Sequence, residues 1–232
     1  MKQLPLGVRW PDQSTFANFL AGPNRQVVEE LRALRERPRM VWIWGPAASG
    51  KTHLLQAACN EAGAVGRRAA YFPLDPRAGL AAAAIAGCEQ LDVVCMDDVD
   101  HAAGASEWEG ALFSLYNAML EQQRSLVLGA AVPPAGLGWR LADLASRMNA
   151  ALILALRPLQ EREQLAALAL HASARGLELP EETAHYLMTR FPRDLRTLCG
   201  LLDTLDTASL AAQRRLTVPF IKQVIDERER SS

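Results

Sequence analysis

Two glycines and a lysine–threonine pair stand at a fixed spacing in one segment, which reads Gly45-Pro46-Ala47-Ala48-Ser49-Gly50-Lys51-Thr52. Glycines let successive backbone N–H groups point into one concavity, and such a concavity binds anions. An ammonium at Lys51 would reach the terminal phosphates of a nucleotide, and the Thr52 hydroxyl would ligate Mg²⁺. We therefore predict that all eight residues, with the adjoining His53, contact a nucleotide.

The distribution of lysine supports this prediction. Positive charge is carried almost wholly by arginine, and the only lysines are Lys2, Lys51 and Lys222. A broad, planar guanidinium does not replace a compact ammonium inside a confined loop. A chance turn is the alternative interpretation, and the isolated lysine makes nucleotide binding the stronger one.

A second candidate group is the acidic pair Asp97-Asp98, which follows the apolar run Val93–Met96. A carboxylate at the end of a buried strand beside a phosphate loop holds the Mg²⁺ shell, and we predict this role for Asp97. Asp98 stands where many ATPases carry a glutamate that orients the attacking water, and aspartate is one methylene shorter. The alternative is an ordinary acidic turn after a strand.

Alternating strands and helices must position these groups. Apolar runs predict strands at 40–44, 69–74, 91–96, 125–129 and 151–156, and the segments between them predict helices at 24–37, 51–62, 77–87, 107–122 and 141–148. This alternation predicts a parallel sheet covered on both faces. Beyond Pro158 only helices are predicted, at 161–175, 180–190, 193–209 and 218–228.

The predicted fold class is therefore α/β: a P-loop domain with a five-stranded parallel sheet, followed by a small all-helical lid. We place an N-terminal tail at residues 1–9, the nucleotide-binding domain at 10–157 and the lid at 158–232. A net charge of −1 gives no overall electrostatic reason to bind nucleic acid. The cysteines form no CxxC pair, the histidines are scattered, and a soluble, cytoplasmic protein is predicted without membrane contact.

Several further motifs resemble those of AAA+ proteins. Among AAA+ proteins they are most similar to the initiator branch around DnaA, and within that branch to the Hda family of DnaA-related regulators. The matching segments cover nearly the whole chain: Thr15-Phe16-Ala17-Asn18-Phe19, then Gly22 and Asn24; Asp143-Leu144-Ala145-Ser146-Arg147; Phe191-Pro192-Arg193-Asp194-Leu195-Arg196; and Thr217-Val218-Pro219-Phe220. The resemblance implies that Phe16 and Asn18 lie beside the adenine. It also implies that Arg147 is an arginine finger and that Arg193 contacts the phosphates from the lid.

Each of these arginines has a plain alternative. Arg147 falls near the end of a predicted helix, where a cation favours the helix dipole. Arg193 follows Pro192 at a predicted helix start, where a solvated surface arginine is ordinary.

The extreme N-terminus Gln3-Leu4-Pro5-Leu6 is similar to the short sliding-clamp-binding peptide of the Hda family, so the resemblance implies that Gln3, Leu4 and Leu6 contact the clamp. An extended tail suits docking into an apolar groove. A disordered tail without a partner is the alternative. The DNA-reading helix-turn-helix domain that follows the lid in DnaA is expected to be absent here.

The resemblance implies a function: nucleotide-bound, on the DNA-loaded sliding clamp, the chain would promote ATP hydrolysis by DnaA and so inactivate the initiator. ADP or ATP with Mg²⁺ would be its cofactors, DNA would be contacted through the clamp, and a homodimer or higher homo-oligomer is compatible. One departure is Ala131, which aligns where a polar residue senses the γ-phosphate, so weak intrinsic turnover is predicted. An autonomous ATPase acting as a helicase or transposition loader is the alternative.

Overall fold

The computed structural model describes residues 14–192, 195–212 and 214–231. Its strands are β1 (Met40–Trp44), β2 (Ala69–Pro73), β3 (Val93–Asp97), β4 (Ser125–Ala130) and β5 (Leu152–Ala155). The α-helices are α1 (Arg25–Arg32), α2 (Lys51–Ala64), α3 (Ser106–Glu121), α4 (Ala142–Ala150), α5 (Glu161–Ala174), α6 (Glu181–Arg190), α7 (Leu195–Ala212) and α8 (Val218–Ser231).

The five strands form one parallel sheet in the order β2-β3-β4-β1-β5. β1 lies between β4 and β5, with Trp44 opposite Ala130 on one side and opposite Ala155 on the other. All carboxyl ends of parallel strands meet at the same edge, so the loops after β1, β3 and β4 come together there. Ligands of open α/β sheets bind outside this edge.

Successive residues of each strand point to opposite faces of the sheet, so the strands contribute to two apolar layers, one on each face. On one face Trp42 and Leu128 pack with side chains of α3 and α4. On the other face Val41 and Ile43 pack with α1 and α2. The near-continuous apolar strands thus follow from burial of the sheet on both sides.

The helices α5 to α8 build a separate apolar cluster, to which each contributes. Its buried members are Leu168, Ala172, Ala184, Leu187, Met188, Leu198, Leu201, Leu202, Leu205, Leu216, Phe220 and Ile221. Asn24 holds the segment that leads from β5 toward these helices, because its side-chain amide donates to Arg157 O at 2.9 Å and its Oδ1 accepts from Arg157 N at 2.8 Å. The predicted α/β domain with an all-helical lid is confirmed.

The predicted helix over residues 77–87 is wrong. Residues 76–90 instead contain three short 3₁₀ turns, Pro76–Ala78, Ala82–Ile85 and Cys88–Gln90. Gly79 and Gly87 adopt φ of +63° and +85°, which the right-handed helix excludes. The alanines favour helix, but these two left-handed glycines interrupt it. The helix predicted at 24–37 is α-helical only over Arg25–Arg32, and a 3₁₀ turn follows at Ala33–Arg35.

Residues 1–13 and 193–194 lie outside the described part of the chain, so the predictions for Gln3, Leu4, Leu6 and Arg193 are not addressed by the fold. Within the described ranges, every helix is too short or too polar to cross a bilayer.

Candidate functional site

The loop between β1 and α2 forms a tight concavity at the carboxyl edge of the sheet. Ala48 and Gly50 adopt positive φ of +59° and +94°, and left-handed residues of this kind let backbone N–H groups converge on an anion. A Cβ on Gly45 would lie 2.8 Å from Leu156 O, and one on Gly50 would lie 2.7 Å from Phe19 Cε2. Only glycine fits at either position.

Lys51 is the first residue of α2 and is 9% exposed. Its Nζ donates to Gly45 O at 2.8 Å and to Pro46 O at 3.0 Å, which aims the ammonium across the loop. An ammonium has three donors, so one remains for a phosphate oxygen. The buried Ser49 Oγ has no hydrogen-bond partner within the described ranges. A buried orphan hydroxyl is unfavourable, and a phosphate oxygen in this loop would satisfy it.

Asp97 ends β3 beside this loop and is 1% exposed. Its Oδ2 accepts from Thr52 Oγ1 at 2.6 Å and from Tyr71 Oη at 3.1 Å, and its Oδ1 accepts from Asp98 N at 3.1 Å. A Cβ on Gly129 of β4 would lie 2.8 Å from Asp97 Oδ1. Sequence reasoning found Asp97 and Thr52 but missed Tyr71 and Gly129. A glycine inside an apolar strand was the available signal, because it often marks a close approach.

A hydroxyl and a carboxylate are oxygen ligands that Mg²⁺ accepts, so Thr52 and Asp97 fit the metal predicted for them. Among the described residues no group of three or more His, Cys, Asp or Glu side chains has a metal-binding arrangement. A magnesium ion here would therefore take further oxygens from water and from nucleotide phosphates, as is usual for this ion.

Asp98 lies next to these groups in a left-handed conformation, with φ of +55°. Burial, followed by the negative charges of Asp97 and Asp100, raises the pKa of Asp98, while His101 and Lys51 lower it in part. Asp98 is thus close enough to the acidic turn and to Lys51 for their charges to act on its carboxyl group.

The end of β4 lacks a polar side chain at Ala130 and Ala131, as predicted for position 131. The Ala131 N–H donates to Asp100 Oδ1 at 3.1 Å. Asp100, on the turn after β3, therefore brings a carboxylate to the end of β4. Sequence reasoning missed it, because the contact spans two loops that only the sheet order places side by side.

The segment preceding α1 lies beside the phosphate loop, and the place predicted for Phe16 and Asn18 next to an adenine stays a prediction. Phe16 is 5% exposed, packs in the apolar cluster under α1 and α2, and has the Arg32 guanidinium carbon 5.3 Å from its ring centre. Asn18 Oδ1 accepts from Thr15 N and from Thr15 Oγ1, both at 2.8 Å. Phe19 is the residue that contacts the phosphate loop, at Gly50.

His53 joins three parts of the chain. Its Nε2 lies 2.9 Å from Thr15 O, and its ring centre lies 5.3 Å from that of Phe19 and 5.6 Å from that of His171 on α5. A cleft of about 430 Å³ opens beside this cluster, between the N-terminal segment and α5. It is lined by Thr15, Ala17, Asn18, Leu170, Ser173, Ala174 and Arg175. Sequence reasoning missed the contribution of α5.

Arg147 belongs to a different environment. It lies in the last turn of α4, where Leu144 and Met148 are buried while Arg147 is exposed. The positive charge of Arg147 acts on Tyr116. Burial raises the pKa of the Tyr116 hydroxyl, and Arg147 lowers that pKa in part. In the described part of the chain, no hydrogen bond or ion pair engages the guanidinium. The helix-dipole alternative remains compatible with its place in the last turn.

Comparison with known proteins agrees with this architecture. The family model described as "Hda, lid domain" matches residues 161–225. Domain III of the replication initiation protein DnaA from Thermotoga maritima has a TM-score of 0.74 at 21% identity, covering 93% of this chain and 96% of that one.

Two further solved structures share the fold. AMPPCP-bound DnaA from Aquifex aeolicus has a TM-score of 0.64 at 23% identity, covering 82% of this chain and 64% of that one. The Thermotoga maritima RuvB Holliday junction branch migration motor has a TM-score of 0.60 at 17% identity, covering 89% and 67%. The chain thus has the fold of DnaA domain III, and its C-terminal segment 161–225 matches the Hda lid family.

Proposed function

We propose that this chain is a nucleotide-bound regulator of replication initiation, which docks on the DNA-loaded sliding clamp and promotes ATP hydrolysis by DnaA. The observation that carries the proposal is that Arg147 on α4 is exposed and has no hydrogen bond or ion pair within the described residues. The groups proposed to bind this chain's own nucleotide are, by contrast, buried or hydrogen-bonded to one another. An arginine that serves its own chain would be expected to find a partner within it. An arginine presented to another protein is expected at the surface.

In this proposal the phosphates of ADP or ATP lie on the loop Gly45–Thr52. Backbone N–H groups and the Lys51 ammonium bind their oxygens, and the Ser49 hydroxyl gains the partner it lacks. The base and ribose lie toward Phe19, His53 and the cleft against α5. Bound Mg²⁺, held by Thr52 and Asp97, would neutralise phosphate charge.

Arg147 acts on the partner's nucleotide in this proposal. As DnaA transfers its γ-phosphoryl group to water, negative charge spreads over the phosphoryl oxygens, and a planar guanidinium can donate two parallel hydrogen bonds to them. Fixed positive charge at the place where negative charge develops lowers the barrier. The chain thus contributes an electrostatic group, while water and phosphate belong to DnaA.

Two proposed contacts lie outside the described residues. Gln3, Leu4 and Leu6 would dock on the sliding clamp as an extended peptide. Arg193, two residues before Leu195 in the sequence, would reach the phosphates and make the lid respond to nucleotide. The match of residues 161–225 to the Hda lid family supports this contact, because the segment Phe191–Arg196 resembles the motif that carries the lid arginine in that family.

The autonomous ATPase is the second candidate, and one observation favours it. Asp100 brings a carboxylate to the end of β4, next to Ala131, so the site has a polar group where the strand itself has none. This candidate predicts steady ATP turnover by the chain alone. If the chain alone does not hydrolyse ATP but stimulates hydrolysis when mixed with ATP-bound DnaA, the autonomous ATPase is excluded and the regulator is supported.

The decisive experiment measures ATP hydrolysis by DnaA in the presence of clamp-loaded DNA and this chain. Arg147→Ala is expected to abolish the stimulation, and Arg162→Ala on α5, also exposed, serves as the matched control. Removal of an arginine finger lowers stimulated turnover by about 10³-fold or more. Undiminished stimulation by Arg147→Ala would overturn the finger assignment.

Two binding measurements test the remaining parts. A pull-down on the sliding clamp, with and without residues 1–8, is expected to show loss of capture after truncation. Melting with ADP or ATP is expected to show stabilisation of about 2.7 kcal/mol at a ligand concentration of about 100 times Kd. Lys51→Ala is expected to remove that stabilisation, and unchanged melting of the wild-type chain would contradict nucleotide binding.

A further inference from the structure

Glu109 is a buried carboxylate that no part of the nucleotide site uses. It lies in the first turn of α3, is 1% exposed, and is one of the few charged side chains within the core of the described residues. A buried charge is costly unless it is hydrogen-bonded, so its partners determine what it does.

All of its partners are backbone N–H groups in two loops. Oε1 accepts from Gly104 N at 2.7 Å and from Arg140 N at 3.1 Å, and Oε2 accepts from Arg140 N at 3.0 Å and from Leu141 N at 2.7 Å. Burial alone raises the pKa of Glu109, but these N–H donors outweigh it and hold the pKa below its usual range. The carboxylate is therefore charged when it holds the loops.

The second loop leads directly into α4, since Leu141 is the residue before Ala142. The same loop is held at two other points. Trp42 Nε1 donates to Val132 O at 3.1 Å, and Trp139 Nε1 donates to Pro134 O at 3.2 Å. The path from the end of β4 to α4 is thus fixed by contacts at both its start and its end.

We propose that Glu109 is a positioning residue that fixes the start of α4 and thereby the direction in which Arg147 is presented. The inference rests on the proposed function, because it assigns Arg147 a partner outside the chain. Among the described residues, no hydrogen bond or ion pair orients the Arg147 side chain, so its placement depends on the helix that carries it. The two residues before that helix are held by Glu109, and α4 has no side-chain cap of its own.

A carboxylate is required, because four N–H···O contacts converge on two oxygens. Glutamine keeps the size but replaces one acceptor oxygen with an NH₂ group, which would face N–H donors. Glu109→Gln is therefore expected to release either Gly104 or Leu141, since only Arg140 N contacts both oxygens. Glu107→Gln on the same helix is the matched control, since Glu107 is exposed and holds no loop.

The first readout is hydrogen exchange of the nucleotide-bound chain. Glu109→Gln is expected to speed exchange across residues 139–150 by about tenfold, while α2 stays protected and Glu107→Gln changes nothing. Should Glu109→Gln fail to fold, Glu109→Asp keeps the charge but is one methylene too short to reach both loops. Unchanged exchange in α4 with either variant would overturn the proposal.

The second readout is stimulated ATP hydrolysis by DnaA. Glu109→Gln is expected to lower it on the order of 10- to 100-fold, as displacement of a catalytic group by about an ångström does. Glu107→Gln is expected to leave stimulation unchanged, because its side chain is exposed. Equal stimulation by Glu109→Gln and Glu107→Gln would overturn the inference.

The two proposals fail differently. Absence of stimulation by the wild-type chain, or full stimulation by Arg147→Ala, refutes the proposed function and with it any role of Glu109 toward a partner. Loss of stimulation in Arg147→Ala, with normal stimulation in Glu109→Gln, refutes the positioning role alone.

Discussion

The phosphate loop and the α4 rim contain the two kinds of charged group that the proposed function needs, and they hold them in opposite ways. At the loop, Lys51 and Asp97 are buried, and their side chains are engaged by neighbouring groups at 2.6–3.1 Å. At the rim, Arg147 is exposed and only the backbone before its helix is held, through Glu109.

This difference follows from where each group does its work. A site for a ligand that the chain keeps benefits from preorganisation, because no reorganisation is then needed on binding. A side chain intended for another protein cannot be buried beforehand, so the scaffold can restrain only the helix beneath it. Changes at the loop should therefore disturb fold and ligand together, whereas changes at the rim should leave the fold intact.

The largest expected effect is at Gly50. Its φ of +94° costs an alanine about 1–2 kcal/mol, and the contact at 2.7 Å with Phe19 Cε2 adds about 1–3 kcal/mol of overpacking. Gly50→Ala is expected to destabilise the chain by about 2–5 kcal/mol in urea unfolding and to remove the nucleotide-dependent rise in melting. Gly63→Ala, later in α2 with open space around its Cβ, is expected to stabilise by about 0.5–1 kcal/mol. Equal effects of the two changes would contradict the tight packing.

Glu109 gives the next effect and a pH dependence. Its pKa is lowered in the folded chain, so its contribution is complete above the ordinary glutamate pKa of about 4.3 and is lost as pH falls through the folded value. Glu109→Gln is expected to cost about 1.5–3 kcal/mol at pH 7, from the lost charged hydrogen bonds. Unfolding free energies at pH 7, 5, 4 and 3 should show the gap between wild type and variant closing below about 4.3. A difference in unfolding free energy that stays constant with pH would show that the charge of Glu109 does not contribute to stability.

Gly129 should give a somewhat smaller effect that is concentrated on Asp97, the carboxylate proposed to hold Mg²⁺. A Cβ there lies 2.8 Å from both Asp97 Oδ1 and Leu55 Cδ1, and the resulting overpacking costs about 1–3 kcal/mol. Gly129→Ala is expected to weaken nucleotide binding more in the presence of Mg²⁺ than in EDTA, because Asp97 is displaced. Gly110→Ala on α3, with no neighbour within 4 Å, provides the control for titrations by calorimetry. A loss independent of Mg²⁺ would assign the effect to packing alone.

The sequence predicts the phosphate loop far better than it predicts the residues that pack around the loop. The reason is the distance along the chain between the interacting residues. The spacing Gly45–Thr52 and the buried strand before it act over neighbouring residues, so a local pattern suffices. Tyr71, Gly129 and Asp100 meet their partners only through the sheet order, which composition does not specify. The wrong helix at residues 77–87 shows the converse case. There, alanine propensity was countered by local glycine conformations at Gly79 and Gly87.

Glu109 and Phe19 show the same limit at the level of single side chains. The amphipathic pattern over α3 predicts the helix, but it cannot tell that one glutamate of its first turn lies beneath two loops. The segment Thr15–Phe19 contains two phenylalanines, and their spacing does not indicate which one turns toward Gly50. Both answers depend on how distant elements pack.

Arg147 is expected to give the smallest effect on stability, and this sharpens the comparison most. Exposed side chains without partners contribute within about 0.5 kcal/mol to the free energy of unfolding, so Arg147→Ala should unfold in urea almost as the wild type does.

Arg147→Lys separates the two interpretations of this residue. A lysine keeps the cation that favours the C-terminal end of α4, but it lacks the planar fork that binds two phosphoryl oxygens. If Arg147 serves only the helix dipole, the alanine variant loses about 0.3–1 kcal/mol and the lysine variant restores it. If Arg147 serves a partner, both variants stay as stable as wild type and neither stimulates hydrolysis by DnaA.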